Sequence, residues 1–487
     1  MGKLGAVVMS GLVFAFCLAA GNLSSAQITT VVTFNGANGA NPPYGSLVQG
    51  ANGSLYGTTT YGGNLYGTST GCPNPYGCGT VFDLKADGTM TTVESFVPGG
   101  PAVPMSGLIQ ANDGNFYGTT FDGGSNDCGT VFEVGAHGAL TTLYNFACDS
   151  NGGYPQGGLV QATNGYLYGT TNSAGAYGFG TVFKITTAGA LTTLYSFCAA
   201  GQDNGCPDGS NPGASLVQGS DGNLYGTTLH GNYEMGTIFK MTPAGSLTNL
   251  YNFCSEGHCL DGNTPQSALI EGPDGAFYGT VVGGGEVGDG AVYKITSSGQ
   301  YTVVSSFFGR NGGQPTDALV YASDGNFYGT TSGGYSDAGT VFKMTPSGTL
   351  TTLYNFCSQP SCNDGEVPYA GLTEDTDGTM YGTTNRGGDP NCSTITTGCG
   401  TIYSLSQKLP AFVEARPMLG GVGSAVIILG SGLSGATGVT FNGTPAKFTV
   451  VSSSEIRTNV PTGATTGKVV VTLPSRTLAT VVPFTVK

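Results

Sequence analysis

Residues 222–228 read Gly-Asn-Leu-Tyr-Gly-Thr-Thr, and the last four of them form a segment that recurs along the chain. Copies that end in Thr-Thr or Thr-Val begin at Tyr56, Tyr117, Tyr168, Tyr225, Tyr278, Tyr328 and Tyr381. These seven copies are 50 to 61 residues apart, a spacing typical of repeat architectures. Each is preceded by a short apolar stretch, such as residues 215–218, and followed by a segment like Gly-Thr-Val-Phe at residues 180–183.

A fourth recurring segment, Leu-Thr-Thr-Leu-Tyr-Asn-Phe at residues 140–146, follows each of the first six repeats in some form. The seventh repeat lacks it after Leu405, but a copy stands at the other end of the chain, at residues 28–34. All four segments are rich in β-branched and aromatic residues, which predicts a four-stranded antiparallel meander with strands A to D in chain order. Seven meanders predict an all-β, seven-bladed β-propeller, in which residues 28–34 supply the outer strand D of the last blade and close the ring.

The composition limits the classes to which the protein can belong. Of the 487 residues, 85 are Gly, but they show no three-residue period, which excludes collagen. Asp and Glu outnumber Lys and Arg by 29 to 15, so the formal charge of −14 repels phosphate backbones and anionic lipids. We therefore expect no nucleic-acid partner.

The N-terminus carries the features of a secretory signal peptide. Lys3 precedes an apolar run from Leu4 to Ala20, and Ser24-Ser25-Ala26 puts small residues before a cleavage site. An uncleaved membrane anchor is the alternative, although this run is at the short limit for a span. We expect a secreted, extracytoplasmic protein with no membrane span in the mature chain.

The mature chain keeps 12 cysteines, an even number that favours disulfides in an exported protein. Antiparallel order puts the B–C and D–A loops at one end of every blade and the tight A–B and C–D turns at the other. Six local pairs at the first end account for all 12 residues. The predicted disulfides are Cys72–Cys78, Cys128–Cys148, Cys198–Cys206, Cys254–Cys259, Cys357–Cys362 and Cys392–Cys399.

The repeats resemble a known family. Residues 222–228, 180–184 and 191–197 resemble the GloVer repeat family of exported bacterial proteins, and the order of these motifs is kept in all seven copies. The resemblance implies an extracytoplasmic, β-propeller-like protein of a bacterium, in the periplasm, at the cell surface or outside the cell, and no particular activity.

The pattern changes after Leu405. Residues 435–443 and 460–467 resemble the IPT/TIG family of immunoglobulin-like β-sandwiches, which implies a spacer or adhesive module without an active site. The predicted organisation is a signal peptide at 1–26, the propeller at 27–407, a linker at 408–416 and the sandwich at 417–487.

Six of the seven loops that lead into strand A carry an Asn or Asp that is followed by Gly and then, four residues after the Asn or Asp, by Pro; the loop of the second repeat has Gly100 before Pro104 instead. These residues, termed the Asx set, are Asn38, Asn151, Asp208, Asp261, Asn311 and Asp364. Because strand A is innermost, we expect them to ring the mouth of the central channel, where their oxygens would bind calcium or a hydroxylated ligand. The alternative is that each side chain caps its own turn. We expect no cofactor, with calcium as the one candidate, and the sequence does not identify a metal.

Loops on a rigid scaffold are where function concentrates, so the face with the long loops is the candidate binding surface. The three His fall in different repeats, and the chain has no nucleophile elbow, zinc motif or phosphate loop, so no catalytic residue is predicted. The predicted function is an exported binding or scaffold protein whose disulfide-stapled loop face binds a polysaccharide or a surface protein. The alternative is an extracellular carbohydrate-active enzyme, a hydrolase or lyase, that uses acidic residues and Tyr on the same face.

Overall fold

The computed structural model describes residues 27–64, 72, 76–135, 138–199, 201, 205–231, 235–334, 337–392 and 398–487. The predicted signal peptide at residues 1–26 lies outside this range. The described chain is all-β, with short 3-10 turns at Gly257–Cys259, Pro360–Cys362 and Leu433–Gly435. None of its helices is long and apolar enough to cross a membrane.

Seven four-stranded antiparallel sheets account for the described repeats up to Leu405. Strands A are Val48–Gln49, Ile109–Gln110, Val160–Gln161, Val217–Gln218, Ile270–Glu271, Val320–Tyr321 and Thr373–Glu374. Strands B are Leu55–Thr59, Phe116–Thr120, Leu167–Thr171, Leu224–Thr228, Phe277–Val281, Phe327–Thr331 and Met380–Thr384. Strands C are Thr80–Leu84, Thr130–Val134, Thr181–Ile185, Thr237–Met241, Ala291–Ile295, Thr340–Met344 and Thr401–Leu405. Strands D are Met90–Ser95, Leu140–Asn145, Leu191–Ser196, Leu247–Asn252, Tyr301–Ser306 and Leu350–Asn355 in sheets 1 to 6, and Ile28–Thr33 in sheet 7. A small extra pair, Pro101–Ala102 with Asp122–Gly123, lies in the loops of sheet 2.

The N-terminal strand pairs with sheet 7 as the other strands D pair with their own sheets. In sheets 1 to 6 the C–D register shifts between the second and third residues of strand C, for example between Val81 and Phe82. The pairing of Ile28–Thr33 with strand C of sheet 7 shifts at the same place, between Ile402 and Tyr403. Such a bulge adds one residue to one strand and increases the local twist. Residues 28–33 therefore stand in for the strand D that sheet 7 lacks.

The Tyr-Gly-Thr-Thr segment joins neighbouring sheets as well as forming strand B. A Cβ placed on Gly57 would lie 2.6 Å from the Phe82 ring on strand C, so the aromatic ring leaves room only for Gly. The next residue, Thr58, donates from Oγ1 to the Ser106 carbonyl of sheet 2 at 2.8 Å. The same Thr-to-carbonyl bond joins each of sheets 2 to 6 to the next sheet.

A second repeated contact joins the loops of neighbouring sheets. The Pro before each strand A packs against the Gly before strand C of the preceding sheet. These pairs are Gly79 with Pro104, Gly129 with Pro155, Gly180 with Pro212, Gly236 with Pro265, Gly290 with Pro315, Gly339 with Pro368 and Gly400 with Pro42. The seven glycines have φ between 88° and 100°, a left-handed backbone that favours Gly. The last pair joins sheet 7 to sheet 1.

The hydrophobic core is divided into clusters that lie between consecutive sheets. Six of them join sheets 1 to 7 in order, and another joins sheet 7 to sheet 1. In this last cluster Phe34 and Ile402 pack with Leu47 and Phe82. Phe34 is fully buried, so the residue that ends the N-terminal segment anchors it in the core.

The C-terminal part, residues 413–486, forms two four-stranded sheets and one two-stranded sheet around one core that includes Ile428, Phe441 and Val471. Its strands are Val413–Arg416, Leu419–Gly420, Ala425–Gly430, Gly438–Phe441, Thr444–Pro445, Phe448–Val450, Glu455–Asn459, Val469–Thr472, Thr477–Ala479 and Thr485–Val486. We call this part the C-terminal sandwich.

The linker is shorter than the predicted 408–416. Val413–Arg416 pairs with Ala425–Gly430, and Val413 and Ala415 are buried while the residues between and after them are partly exposed. This alternation is that of a half-buried strand, but four residues were too few to separate it from a linker in the sequence.

The C-terminal sandwich is in contact with the A–B turns of the sheets. Arg416 Nη1 donates to the Gln49 carbonyl at 2.9 Å, and Ser454 Oγ donates to the Ala51 carbonyl at 2.6 Å. The Phe412 amide donates to the Thr376 carbonyl in sheet 7 at 3.1 Å. The sandwich therefore covers part of the end that carries the tight turns.

Candidate functional site

The B–C and D–A loops of the seven sheets form one face, which we call the variable-loop face. The A–B and C–D turns form the opposite, tight-turn face. All six disulfides lie on the variable-loop face. They are Cys72–Cys78, Cys128–Cys148, Cys198–Cys206, Cys254–Cys259, Cys357–Cys362 and Cys392–Cys399, the same pairs that the sequence predicts. Closing such loops restricts their conformations and so fixes the surface they present.

The variable-loop face also carries most of the large apolar side chains that the sheets expose. Those on this face are Val97, Tyr177, Leu260, Val287 and Phe308, whereas Tyr166 alone among the described residues lies on the tight-turn face. Leu260, Val287 and Phe308 are 47, 57 and 46% exposed. We call these three residues the apolar patch.

The apolar patch stands on three loops that hold one another. The Gly285 amide donates to the Cys259 carbonyl at 3.1 Å, which joins the loop of Val287 to the loop of Leu260. The Gln314 amide donates to the Asp289 carbonyl at 2.8 Å, which joins the loop of Val287 to the loop of Phe308. The three exposed apolar side chains therefore stand on loops that are joined to one another by backbone hydrogen bonds.

A cavity of about 280 Å³ lies on the inner side of the sheets, where the segments before strands A meet. Six of the seven sheets line it, and the lining includes Tyr44, Gln156, Gln266 and one carboxyl group, that of Asp317. At the position of Asp317 the other six repeats have Gly, Ser or Ala. Sequence analysis missed this residue, although aligning the repeats on the Leu before strand A would have found it.

The Asp317 carboxylate is held by three sheets. Its Oδ2 accepts hydrogen bonds from the Gly371 amide of sheet 7 at 2.5 Å and from Ser46 Oγ of sheet 1 at 3.4 Å. Its Oδ1 accepts one from the Ala318 amide at 2.7 Å. Burial outweighs these bonds and raises the pKa of Asp317 to about 7. The group therefore ties sheet 6 to sheets 7 and 1 across the inner cavity.

The inner cavity differs at its two ends. Tyr44 and Tyr369 stack with their ring centroids 4.8 Å apart. Each directly follows a proline of its own D–A loop, so the pair lies toward the variable-loop face. Toward the tight-turn face, a second cavity of about 320 Å³ lies between strands A of sheets 1 to 4 and residues 414–419 of the C-terminal sandwich. The sandwich thus lies across the tight-turn end of this inner space.

The Asx set does not ring the inner cavity, so its predicted position is wrong. None of its members lines that cavity. The carboxylates accept hydrogen bonds from Tyr hydroxyls of strands D, the outermost strands: Asp208 from Tyr195, Asp261 from Tyr251 and Asp364 from Tyr354, at 2.7 to 2.8 Å. Asn38 and Asn311 accept the amides of Asn35 and Phe308, and Asn151 accepts the Thr193 hydroxyl.

The reason lies in the path of the D–A loop, which runs from the outermost to the innermost strand. The Asx residue stands at the outer start of this path, and only the residues after the proline reach the inner cavity. Among the described residues, one group of three or more His, Cys, Asp or Glu has ligand atoms within 4.8 Å of one another. It consists of Cys357, Cys362 and Glu366, and its two sulfurs form a disulfide. Calcium binding by the Asx set stays a prediction.

The acidic residues of the variable-loop face include one close pair. Asp122 and Asp127 share the B–C loop of sheet 2, where Asp127 Oδ1 accepts the Gly123 amide at 3.0 Å. Burial and the Asp127 charge raise the pKa of Asp122. His230 lines a separate cavity of about 370 Å³, and none of the described residues around it is a carboxylate.

Comparison with known protein families agrees with the repeat pattern. A profile of the Gloeobacter/Verrucomicrobia repeat matches residues 62–271 and 202–396, which is more than half of the chain. The chain belongs to this repeat family. An IPT/TIG profile matches residues 416–486, so the C-terminal sandwich is an IPT/TIG domain. None of the curated proteins compared with the chain matches it.

Solved structures similar to this Gloeobacter/Verrucomicrobia repeat protein match it at low sequence identity and with TM-scores under 0.5. A periplasmic gluconolactonase of Pseudomonas aeruginosa is 15% identical, with 73% of this chain and 97% of that chain covered at a TM-score of 0.41. The extracellular domain of a B. thetaiotaomicron protein, described as a hybrid two-component system, is 10% identical, with 92% and 57% covered at a TM-score of 0.49. An auxiliary nutrient binding protein of Bacteroides ovatus is 15% identical, with 72% and 76% covered at a TM-score of 0.39. Similarities of this size assign no activity to the repeat family.

Proposed function

We propose that this protein is an exported binding protein whose seven sheets close into a seven-bladed propeller and whose variable-loop face binds an extracellular polysaccharide or surface protein. The propeller is the scaffold, and the disulfides keep its loops in a binding-ready arrangement. In this proposal the propeller begins after the signal peptide and ends near residue 407.

Closure of the ring is supported by contacts that repeat at every junction. The Gly400–Pro42 contact and the core cluster around Phe34 join sheet 7 to sheet 1 as the equivalent contacts join the other neighbouring sheets, and Ile28–Thr33 supplies strand D within sheet 7. A ring leaves only short edges, which removes the unpaired strands that promote aggregation.

The observation that carries the proposed binding role is the one-sided exposure of large apolar side chains. Burying such a side chain yields about 1.5–3 kcal/mol, so leaving Leu260, Val287 and Phe308 in water forgoes stability. They are grouped on loops that hydrogen-bond to one another, and the disulfide Cys254–Cys259 staples one of those loops. A partner that covers this patch would recover that free energy.

The test is a polysaccharide array probed with residues 27–487, with product analysis for every polysaccharide that binds. We expect at least one to bind without being cleaved, and a triple variant Leu260→Ser, Val287→Ser, Phe308→Ser to lose that binding. Tyr166→Ser, on the tight-turn face, is the matched control and should bind normally. If every uncharged polysaccharide that binds the parent protein also binds the triple variant, the assignment of the surface is contradicted.

An enzyme is the second candidate, and the Asp122–Asp127 pair favours it. A carboxyl group with a raised pKa beside a second carboxyl group is the combination that glycoside hydrolysis uses. Release of products from any array polysaccharide, abolished by Asp122→Asn, would establish this function instead.

A further inference from the structure

The charges of the protein are divided unequally between its two parts. Residues 408–487 contain seven of the 15 Lys and Arg but only two of the 29 Asp and Glu, a formal charge of +5. Residues 27–407 contain seven basic and 27 acidic residues, a formal charge of −20. The acidic total of the whole chain thus conceals a basic domain.

Some of these basic side chains line one cavity of about 460 Å³ between the C-terminal sandwich and the A–B turn of sheet 2. Arg416, Arg457 and Lys447 contribute cations, and Asn112 of sheet 2 forms part of the wall. The register explains why the two arginines share a face, because Arg416 is opposite Ile427 and Ile427 is opposite Arg457 across three neighbouring strands. Residues in one such row point to the same side of a sheet.

The three cations differ in what they already bind. Arg416 is fully engaged: Nε and Nη2 donate to Glu414, and Nη1 donates to the Gln49 carbonyl. Arg457 donates from Nε to Glu455 Oε1 at 2.6 Å, but its side chain is 65% exposed. Lys447 is exposed and, within the described residues, makes no ion pair. Lys447 and Arg457 therefore remain able to meet an anionic ligand.

The rest of the lining suits a ligand that carries hydroxyl groups. Asn112, Asn459 and Thr449 offer amide and hydroxyl groups, and Ala425 and Ile427 provide an apolar floor. A cavity of this volume is within the range of small-ligand sites. We propose that it binds the uronate units of an acidic polysaccharide, with Lys447 and Arg457 holding the carboxylate.

A polyphosphate fits these surroundings less well. Nucleic acid carries a charge about every 3.4 Å per strand, and the adjacent −20 propeller lies within a Debye length of about 10 Å. Two available cations can neutralise a single carboxylate group but not such a run of charges. This site is separate from the variable-loop face and does not depend on the function proposed for that face.

Calorimetric titration of residues 27–487 with hexagalacturonate tests the proposal, with uncharged maltohexaose and a 20-nucleotide poly-dT as comparison probes. We expect hexagalacturonate alone to bind, Lys447→Gln to weaken it by about tenfold, and Lys447→Arg to restore it. Lys468→Gln is the matched control, because Lys468 is an exposed basic residue of the same domain that does not line the cavity.

Four results would overturn the proposal: no heat with hexagalacturonate, equal binding of maltohexaose, poly-dT binding as tight as hexagalacturonate, or equal losses in Lys447→Gln and Lys468→Gln. Equal losses in these two variants would mean that the basic domain attracts anions without a specific site. Circular dichroism of each variant checks that the fold is retained.

Discussion

The propeller-like part and the C-terminal sandwich are stabilised in different ways. The repeats divide their core among the sheet junctions, use the same Thr, Gly and Pro contacts each time and staple their loops with six disulfides. The sandwich has one core and no cysteine. The propeller-like part is acidic and the sandwich is basic, so the two surfaces favour ligands of different charge.

Deleting residues 27–36 should have the largest effect, and it should fall on the propeller. The deletion removes strand D of sheet 7 together with Phe34, and losing a buried Phe side chain alone costs about 3–5 kcal/mol. All 25 Tyr precede residue 404, so Tyr fluorescence during thermal unfolding reports on the propeller alone. An unchanged midpoint would mean that residues 27–36 form a free tail.

A pair of Gly-to-Ala substitutions compares a crowded position in the repeats with an open one in the sandwich. A Cβ on Gly400 would lie 2.2 Å from the Thr384 carbonyl oxygen and 2.9 Å from Pro42, whereas a Cβ on Gly463 would meet nothing within 4 Å. Both residues have positive φ, which costs an L-residue about 1–2 kcal/mol. Gly400→Ala should lose about 1–3 kcal/mol more than Gly463→Ala in urea unfolding. Equal losses would show that the Gly–Pro contact is not tightly packed.

The propeller should also be the part whose stability depends on pH near neutrality. Burial raises the pKa of Asp317 and Asp375 to about 7 and that of Glu374 to about 6. Their folded values exceed the unfolded ones, so their stabilising contribution is complete below about pH 4 and is lost as the pH rises through 6 to 7. Each unit of difference corresponds to about 1.4 kcal/mol.

The unfolding midpoint followed by Tyr fluorescence should therefore fall between pH 5 and pH 8, and Asp317→Asn should flatten this decline. The sandwich has two acidic side chains, both ion-paired with Arg, so its own stability should change less over this range. A midpoint that rises over this range would contradict the burial of these carboxyl groups.

Chain order predicts the architecture well because each repeat carries its own strand and turn signals. The copy of the fourth segment at residues 28–34 indicates that it pairs with the seventh repeat, which lacks that segment. The positions of the cysteines in the loops indicate which of them are neighbours. The repeat pattern does not indicate whether a residue of a D–A loop lies near the outer strand D or near the inner strand A. Asp208 and Asp261 belong to the loops that lead to the inner strands, but both lie near the outer strands D.

The inner and basic sites could have been predicted only in part. Asp317 occupies a position where the other six repeats have Gly, Ser or Ala, and this difference is visible once the repeats are aligned. The basic character of residues 408–487 follows from counting charges by domain. The grouping of Lys447 and Arg457 beside Asn112 depends on how the sandwich rests on sheet 2, and chain order carries no signal for that contact.

We propose that two parts of this protein bind different ligands through different surfaces. One measurement tests it directly: the polysaccharide array probed in parallel with the Leu260→Ser, Val287→Ser, Phe308→Ser variant and with Lys447→Gln. We expect the first variant to lose binders that Lys447→Gln retains, and Lys447→Gln to lose only uronate-containing binders. If both variants lose the same polysaccharides, or if neither loses any, the account is contradicted.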